Sequence, residues 1–364
     1  MKALVLEDVN KIEYKEVSKP VPAAGEVLVK VMAAGVCGSD IPRTYRDGAH
    51  NMPLIIGHEF SGAVECIGEN VSEQWKGKRV GVFPLIPCRK CKPCLGMKYE
   101  MCKNYSYLGS RRDGAFAEYV AVPEWNLIEL PENVSFEAAA MLEPMAVAVH
   151  AMRRVNIGPD DTVVVCGLGT IGTLLIMFLI DKGVKKIITV GNKDFQKKTV
   201  MSLGIPEDYY CDSRKFDSKD FILNHTENNG ADVFFECVGR NETVSLAVDS
   251  VGASGQICYV GNPASDMMFE KNTYWKILRN QIKITGTWNS SFFGEDNNTA
   301  CAKGSSAGVC QDDWHYVIER LNEKAINPEN LITHKYPLSE LTRGMEIMRD
   351  KSEDYIKIMF VSNN

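Results

Sequence analysis

The sequence predicts a protein of two domains, in which a β-rich domain is followed by an α/β domain with a mostly parallel sheet. Before about residue 150, short β-type runs such as Glu26–Ala33, Gly62–Ile67 and Arg79–Pro84 alternate with glycine and proline turns. After that point, short apolar runs alternate with helix-like segments, which is the rhythm of strands and helices in a parallel sheet. The length of 364 residues also favours two domains of ordinary size.

The predicted domain limits follow this change of pattern. Residues 1–149 form the β-rich domain, 150–290 the α/β domain, and 291–364 a loop or insertion followed by a return of the chain to the first domain. The strand-like run Tyr355–Val361 is expected to make that return, and Glu295–Gln311 is expected to be the loop, with Cys301 and Cys310 as free thiols. The strand candidates of the second domain are Thr162–Cys166, Lys186–Val190, Asp232–Cys237, Gln256–Val260 and Lys283–Gly286, and its helix candidates are 171–182, 194–203 and 241–250.

Composition indicates a globular protein with a small-molecule partner. Hydrophobic residues make up 45% and charged residues 24% of the chain, which is typical of a folded core. The formal net charge of −6 gives no general attraction to nucleic acid or to an anionic membrane. The apolar run Leu174–Ile180 is too short to span a membrane, and the start of the chain soon meets acidic residues, unlike a secretory signal. The twelve cysteines are therefore expected to be reduced thiols and metal ligands in the cytoplasm.

A lobe at residues 85–105 carries four closely spaced cysteines. Thiols at such short spacings can converge on one tetrahedral zinc ion at small loop cost, and the ligands are Cys88, Cys91, Cys94 and Cys102. Four thiolates leave no position for a substrate, so this zinc is predicted to be structural. The alternatives are four unrelated buried cysteines or a nucleic-acid-binding zinc ribbon, but the latter needs a basic face that this acidic chain does not offer.

The second domain opens with a glycine pattern that ends an apolar strand and begins a helix. In that context the pattern is the fingerprint of a dinucleotide site, formed by Gly167, Leu168, Gly169, Thr170, Ile171 and Gly172. Gly167 permits the tight turn, Gly169 lets the backbone approach the pyrophosphate, and Gly172 allows close helix packing. The amides at the start of the helix then bind the anion. A glycine turn without a ligand is the alternative.

The end of the next strand indicates which nicotinamide dinucleotide is preferred. A carboxylate about twenty residues after the fingerprint would bind an unphosphorylated ribose and repel a 2′-phosphate. Here Val190 is followed by Gly191, Asn192 and Lys193, which place an amide and a cation at that position. NADP(H) is therefore expected to be favoured over NAD(H), unless Asp194 turns inward or Lys193 is only a solvated loop cation.

Several motifs in the expected order resemble the zinc-dependent medium-chain dehydrogenases over nearly the whole chain. They are Gly35–Asp40, Gly57-His58-Glu59, the cysteine lobe, Asp113–Tyr119 and the dinucleotide turn. Within this family, Ser39–Arg43, Gly48–His50, Gly109–Gly114 and Leu142-Glu143-Pro144 resemble the sorbitol dehydrogenase branch. The resemblance implies a GroES-like catalytic domain, a Rossmann cofactor domain and a homodimer or homotetramer.

The resemblance also implies a second, catalytic zinc bound by Cys37 and His58. In this branch the third ligand is Glu143, with Glu59 as an alternative ligand or a bridge through water. A carboxylate in place of a thiolate gives a harder site that suits hydroxyl-rich substrates. Glu143 is alternatively a helix N-terminal charge stabilised by the helix dipole.

A proton must leave the substrate hydroxyl during oxidation, and three residues are candidates for this acid–base role. Ser39 resembles the relay hydroxyl of the family, His50 is a candidate next carrier because its ordinary pKa is near 6.5, and Glu59 lies beside the metal. Ser39 is alternatively the cap of the following turn, and His50 alternatively makes a structural hydrogen bond or contacts substrate.

Four arginines near the expected site mouth are candidate contacts for a substrate phosphate: Arg43, Arg46, Arg111 and Arg112. With the resemblance, they favour oxidation of a polyol phosphate to a ketose phosphate, of the type galactitol 1-phosphate to tagatose 6-phosphate. A free polyol such as sorbitol or xylitol, or ribitol 5-phosphate, is the alternative substrate. A non-enzymatic NADP-binding sensor with a zinc lobe is the alternative of a different class, and Cys37, His58 and Glu143 argue against it.

Overall fold

The computed structural model describes residues 1–263, 265–294 and 311–362. The chain divides into two compact units, one formed by Met1–Ala146 with Ser290–Asn364 and the other by Val147–Asn289. Among the described residues, no helix is long and apolar enough to cross a membrane. The predicted loop at Glu295–Gln311, including Cys301 and Cys310, lies outside the described residues except for Gln311.

Strands and helices are numbered in chain order. The strands are β1 (Lys2–Asp8), β2 (Lys11–Glu16), β3 (Glu26–Val36), β4 (Leu54–Ile55), β5 (Glu59–Ile67), β6 (Arg79–Val82), β7 (Leu85–Ile86), β8 (Ser106–Tyr107), β9 (Tyr119–Pro123), β10 (Leu127–Glu129), β11 (Thr162–Cys166), β12 (Lys186–Gly191), β13 (Tyr210–Asp212), β14 (Ala231–Glu236), β15 (Val251–Tyr259), β16 (Lys283–Gly286), β17 (Ile332–Tyr336) and β18 (Lys357–Val361). The helices are α1 (Asp40–Pro42), α2 (Lys92–Leu95), α3 (Phe136–Ala140), α4 (Leu142–Met152), α5 (Thr170–Asp181), α6 (Asp194–Ser202), α7 (Ser218–His225), α8 (Asn241–Ser250), α9 (Lys271–Arg279), α10 (Asp313–Asn322) and α11 (Leu341–Asp350).

The first unit is built around the long strand β3. This strand pairs with β5, β9 and β18, all antiparallel, in a sheet of order β10-β6-β5-β3-β18-β17. Apolar side chains of β3, such as Val27, Val29 and Val31, are almost completely buried and join one hydrophobic core with β1, β5, β6 and β9. Because β18 pairs with β3, the C-terminal part of the chain lies in the first unit.

Smaller elements complete the first unit. Strands β1, β2 and β4 form a separate antiparallel sheet, and the two-residue strands β7 and β8 pair with each other beside the cysteine lobe. The rings of Phe83, Trp125, Phe292 and Trp314 pack together with centroids 5.0–6.0 Å apart. This aromatic cluster therefore anchors the chain that enters the first unit near Ser290.

The second unit is a six-stranded, wholly parallel sheet of order β13-β12-β11-β14-β15-β16. This is the strand order of a dinucleotide-binding Rossmann fold, with the change of direction beside β11. The buried apolar strands β11 and β14 form its centre, as parallel strands covered on both faces require. The predicted fold class, an α/β domain with a β-rich domain, is confirmed. Strand β13 and helices α7 and α9 were not predicted.

Candidate active site

Three potential metal ligands meet where β3 and β5 end and begin. Cys37 follows the last residue of β3, His58 precedes the first residue of β5, and Glu59 begins β5 opposite Gly35 in the antiparallel register. Ligand atoms of the three side chains lie within 4.8 Å of one another. His58 and Glu59 are 4% and 1% exposed, whereas Cys37 is partly exposed.

Asp40 supplies negative charge beside this group. Its carboxylate is fully buried, accepts a hydrogen bond of 3.0 Å from the Cys37 amide, and lies 3.4 Å from Nδ1 of His58. Burial alone would lower the pKa of His58, but the charges of Asp40 and Cys37 raise that pKa well above its usual value. A negative potential at the imidazole favours a cation there, whether a proton or a metal ion.

Lys357 of β18 is a member of this site that sequence reasoning missed. Its ammonium forms a buried ion pair with Oε2 of Glu59 and donates a 3.1 Å hydrogen bond to the carbonyl of Val36. Both charged side chains are 2% exposed. Gly35 makes room for the pair, because a Cβ there would lie 2.4 Å from Oε2 of Glu59 and 2.7 Å from Cε of Lys357. No motif joins Lys357 to the other residues, so only the register of β18 on β3 reveals it.

Glu143, in the first turn of α4, lies next to the three-residue group without being part of it. Its Oε1 accepts a 3.2 Å hydrogen bond from the Tyr107 hydroxyl, and the Tyr107 ring packs edge-on against His58 with centroids 5.7 Å apart. Burial, partly offset by the charge of His58, raises the pKa of Glu143 to about 7. The described geometry therefore groups Glu59, rather than Glu143, with the other two ligands.

The donor set fits a zinc ion. Sulfur, imidazole nitrogen and carboxylate oxygen are the usual zinc donors, and three protein ligands with a fourth position open characterise catalytic sites. Nδ1 of His58 is buried and makes no hydrogen bond within the described part of the chain. It lies 3.4 Å from the Asp40 carboxylate, and a carboxylate beside one ring nitrogen is the usual support of an imidazole that binds a metal through the other nitrogen.

Ser39 and His50 lie on the segment between Cys37 and β4. Ser39 occupies the cap position of α1 but makes no side-chain capping hydrogen bond, which leaves its hydroxyl available to another partner. His50 is exposed.

The four candidate arginines have different partners. Arg43 donates to Asp40 at 2.5 Å and so reaches the metal group through that carboxylate, whereas Arg46 pairs with the neighbouring Asp47 at the surface. Arg111 lies over the Tyr105 ring, 4.3 Å from its centroid, and Arg112 pairs with Glu26 at 2.8 Å. Arg111 is connected to His58 through ring contacts, because the Tyr105 ring packs against Tyr107 and the Tyr107 ring packs against His58. Arg43 and Arg111 are therefore the two arginines that connect to the metal group.

The cysteine lobe also has the geometry of a metal site. Its four sulfur atoms lie within 4.8 Å of one another, with Sγ of Cys91 3.4 Å from that of Cys94 and 3.9 Å from that of Cys102. Tetrahedral zinc–sulfur bonds of about 2.3 Å separate the sulfurs by roughly 3.8 Å, so the lobe fits the ion. Amides of Cys94 and Lys103 lower the pKa of Cys91 to about 6, which favours the thiolate that a metal requires.

The dinucleotide turn joins β11 to α5 as the glycine pattern requires. Gly167 has a φ of +96°, and its amide donates to the carbonyl of Val190 at 3.0 Å. A Cβ on Gly172 would lie 1.9 Å from the Gly167 oxygen, so only glycine allows this approach of helix and turn. No described atom lies within 4 Å of a Cβ placed on Gly169, which leaves that position open to a ligand.

The residues after β12 carry no free acid at the expected ribose position. The backbone amide of Asn192 donates a 3.2 Å hydrogen bond to the side-chain oxygen of Gln196. The backbone carbonyl of Lys193 accepts a 3.1 Å hydrogen bond from the Tyr210 hydroxyl. Asp194 is largely exposed and pairs with Arg214, which also binds Asp212. The Asp194 carboxylate is therefore already paired with the Arg214 guanidinium.

Comparisons with known proteins agree with this geometry. Residues 23–132 match the family model described as alcohol dehydrogenase GroES-like domain, and residues 170–303 match that described as zinc-binding dehydrogenase. The chain is 31% identical to galactitol 1-phosphate 5-dehydrogenase of Escherichia coli K12 over 85% of each chain. It is 33% identical to sorbitol dehydrogenase of Halalkalibacterium halodurans over 99% of this chain and 98% of the relative. The crystal structure of galactitol-1-phosphate dehydrogenase from Escherichia coli superposes with a TM-score of 0.86 at 28% identity and full coverage of both chains.

Fold and donor set define a zinc-binding, dinucleotide-dependent oxidoreductase. The chain belongs to the zinc-dependent medium-chain alcohol dehydrogenases, among the polyol dehydrogenases of that family. The predicted family and enzyme class are thus confirmed.

Proposed function

We propose that the protein oxidises a secondary hydroxyl of a polyol phosphate to the ketose phosphate, as in galactitol 1-phosphate to tagatose 6-phosphate, with transfer of the hydride to NADP. The observation that carries the proposal is the cluster of Cys37, His58 and Glu59, in a chain that also has the dinucleotide turn. One relative acts on galactitol 1-phosphate, and another, 29% identical over 97% of this chain, is D-arabitol-phosphate dehydrogenase of Enterococcus avium.

Cys37, His58 and Glu59 would hold the catalytic zinc, with Glu143 as a further carboxylate beside it. When bound, zinc supplies the Lewis acidity that lowers the pKa of an alcohol and favours departure of a hydride. Asp40 orients His58 and favours positive charge there, and Lys357 neutralises the carboxylate of Glu59.

Acid–base chemistry falls to residues beside the ligands. The uncapped Ser39 hydroxyl would accept the substrate proton while donating its own proton towards the exposed His50, which would release it to water. The expected result for Ser39→Ala is a fall of about 10²- to 10⁴-fold in kcat at unchanged zinc content. A loss of zinc in this variant would instead indicate a structural role.

The substrate phosphate would bind Arg43 and Arg111, the two candidate arginines that connect to the metal group. Each already has a partner, so a phosphate would add charge-assisted hydrogen bonds to guanidinium groups that are held in place. The test compares kcat/KM for galactitol 1-phosphate, ribitol 5-phosphate, sorbitol and L-threonine. Turnover of only an unphosphorylated alcohol would overturn the phosphate assignment and favour the free-polyol alternative.

The preference for NADP rests on Asn192 and Lys193 and on the engagement of Asp194 by Arg214. A clearly higher kcat/KM with NAD than with NADP would contradict it. We further propose two zinc ions per chain, one in the cysteine lobe, and a cytoplasmic homodimer or homotetramer. Metal analysis should give two zinc ions in the unaltered protein and one after Cys37→Ser, and light scattering gives the number of subunits.

A further inference from the structure

Tyr107 is held rigidly at the edge of the metal group. It ends β8, where it pairs with Leu85 of β7. Its carbonyl accepts hydrogen bonds from the amides of Ser110, Arg111 and Arg112 at 3.3, 2.9 and 3.2 Å. The pairing of β8 with β7 and the turn that follows Tyr107 both fix the backbone of this residue. The point from which its ring extends towards the metal group is therefore fixed as well.

The side chain of Tyr107 contacts two of the proposed metal-centre residues. Its ring packs edge-on against His58, and its hydroxyl donates to Oε1 of Glu143. A hydrogen bond to a carboxylate is stronger than one between neutral groups, so it selects one orientation of the flexible glutamate side chain. In that orientation Glu143 is not among the atoms that lie within 4.8 Å of one another in the metal group.

Two carboxylates thus stand beside one metal position, each with its own partner. Glu59 is paired with Lys357 and grouped with Cys37 and His58, whereas Glu143 is held by Tyr107. A catalytic zinc site needs one position free for the substrate oxygen. If both carboxylates bound the metal, together with sulfur and imidazole, the tetrahedron would be full.

We propose that Tyr107 is a positioning residue that keeps Glu143 off the metal and so keeps the fourth coordination position open to substrate. This inference rests on the proposed metal centre. The Tyr107→Phe substitution keeps the ring against His58 but removes the hydroxyl that holds Glu143. The freed carboxylate then competes with the substrate for the metal.

Cobalt in place of zinc tests the inference without relying on activity. A small anion such as azide binds cobalt at an open position and changes its visible spectrum, and subtraction of the spectra of the Cys37→Ser protein removes the contribution of the cysteine lobe. We expect the azide-induced change to lose at least half of its amplitude in Tyr107→Phe, because the carboxylate of Glu143 then occupies the fourth position. The double substitution Tyr107→Phe with Glu143→Gln should restore the azide-induced change, because an amide is a much weaker ligand than a carboxylate.

Tyr105→Phe is the matched control. Tyr105 also contacts the Tyr107 ring, but its described contacts are with that ring and Arg111 rather than with Glu143, so Tyr105→Phe should keep the azide-induced change. An azide-induced change in Tyr107→Phe equal to that in the unaltered protein overturns the inference. So does a loss that the Glu143→Gln substitution fails to reverse, since the carboxylate of Glu143 would then not be the group that closes the position. If the unaltered protein shows no cobalt bands beyond those of Cys37→Ser, the proposed metal centre itself fails, and the inference with it.

Discussion

The buried ion pair of Lys357 and Glu59 makes a quantitative prediction about the first unit. Replacement of Lys357 by Met keeps most of the volume of the side chain but removes its ammonium. The carboxylate of Glu59, at 2% exposure, then loses its charge partner, and the carbonyl of Val36 loses a donor at 3.1 Å. In chelator-treated protein, where no zinc pairs with Glu59, the perturbation is thus one uncompensated charge in a site that water hardly reaches.

The expected magnitude follows from the burial of both partners. Breaking a buried pair by removal of one partner destabilises a protein by about 3–5 kcal/mol, whereas replacement of both partners is often nearly neutral. Lys357→Met should therefore cost about 3–5 kcal/mol. Lys357→Met combined with Glu59→Gln should cost markedly less than the sum of the single changes, because neither charge is then left alone.

Hydrogen exchange on β18 and β3 is the suitable measurement, because a chain of two units need not unfold in one step. Since about 1.4 kcal/mol corresponds to a factor of ten, amides of Lys357–Val361 that exchange by opening of the pair should exchange roughly 10²- to 4 × 10³-fold faster in Lys357→Met. Amides of β11 in the second unit serve as an internal control and should keep their rates. Zinc content is measured for each protein, and exchange is repeated after the same chelator treatment of all of them.

Two results would refute this reasoning. One is an exchange rate in Lys357→Met within threefold of the unaltered protein, which would mean that Glu59 does not depend on the ammonium. The other is a double variant whose loss equals the sum of the two single losses, since independent sites give additive effects and a coupled pair does not.

Three further predictions concern the other sites. Gly172→Ala should lower the melting temperature and weaken NADPH binding at least tenfold in a fluorescence titration, because its Cβ would lie 1.9 Å from the Gly167 oxygen. At Gly169 the protein has space for a Cβ, so Gly169→Ala should weaken binding without lowering the melting temperature. Cys91→Ser should remove the lobe zinc and leave the catalytic zinc, and retention of two zinc ions per chain would contradict the lobe assignment. Lys193→Asp should shift the ratio of kcat/KM from NADP towards NAD by at least tenfold, and an unchanged ratio would show that this position does not contact the ribose phosphate.

Those parts of the site that lie close together in the sequence could be predicted from it. The dinucleotide turn lies between the end of one strand and the start of the next helix, so the spacing of its glycines is enough to predict its geometry. The structure shows the close approach of helix and turn that Gly172 permits. The lobe cysteines are equally local. Among the secondary-structure elements, β13 was missed because Tyr210–Asp212 is only three residues long and has no periodicity to detect.

The parts that were missed depend on contacts distant in the sequence. Tyr107 lies in a run of polar and aromatic residues whose type is equally suited to a surface strand, and only the pairing of β7 with β8 directs it to Glu143. Among the arginines, Arg46 is next to Asp47 in the sequence, so a solvent-exposed ion pair between them could be predicted without the structure. The pairing of Arg112 with Glu26 joins residues 86 positions apart, so it required the fold.

The position of Lys357 shows why strand register, rather than motif, completes this metal site. Gly35 of β3 faces Glu59 of β5 on one side and Met359 of β18 on the other, so the ends of both neighbouring strands reach the same point of the sheet. The pair passes over Gly35, where a methyl group would collide with both side chains. A slip of one residue in either register would turn the side chain to the opposite face of the sheet and separate the charges. The glycine at position 35 therefore makes room for Glu59 and Lys357, which lie on the two strands beside β3. Gly35→Ala should speed hydrogen exchange of the β18 amides, because both side chains must shift to admit the methyl group.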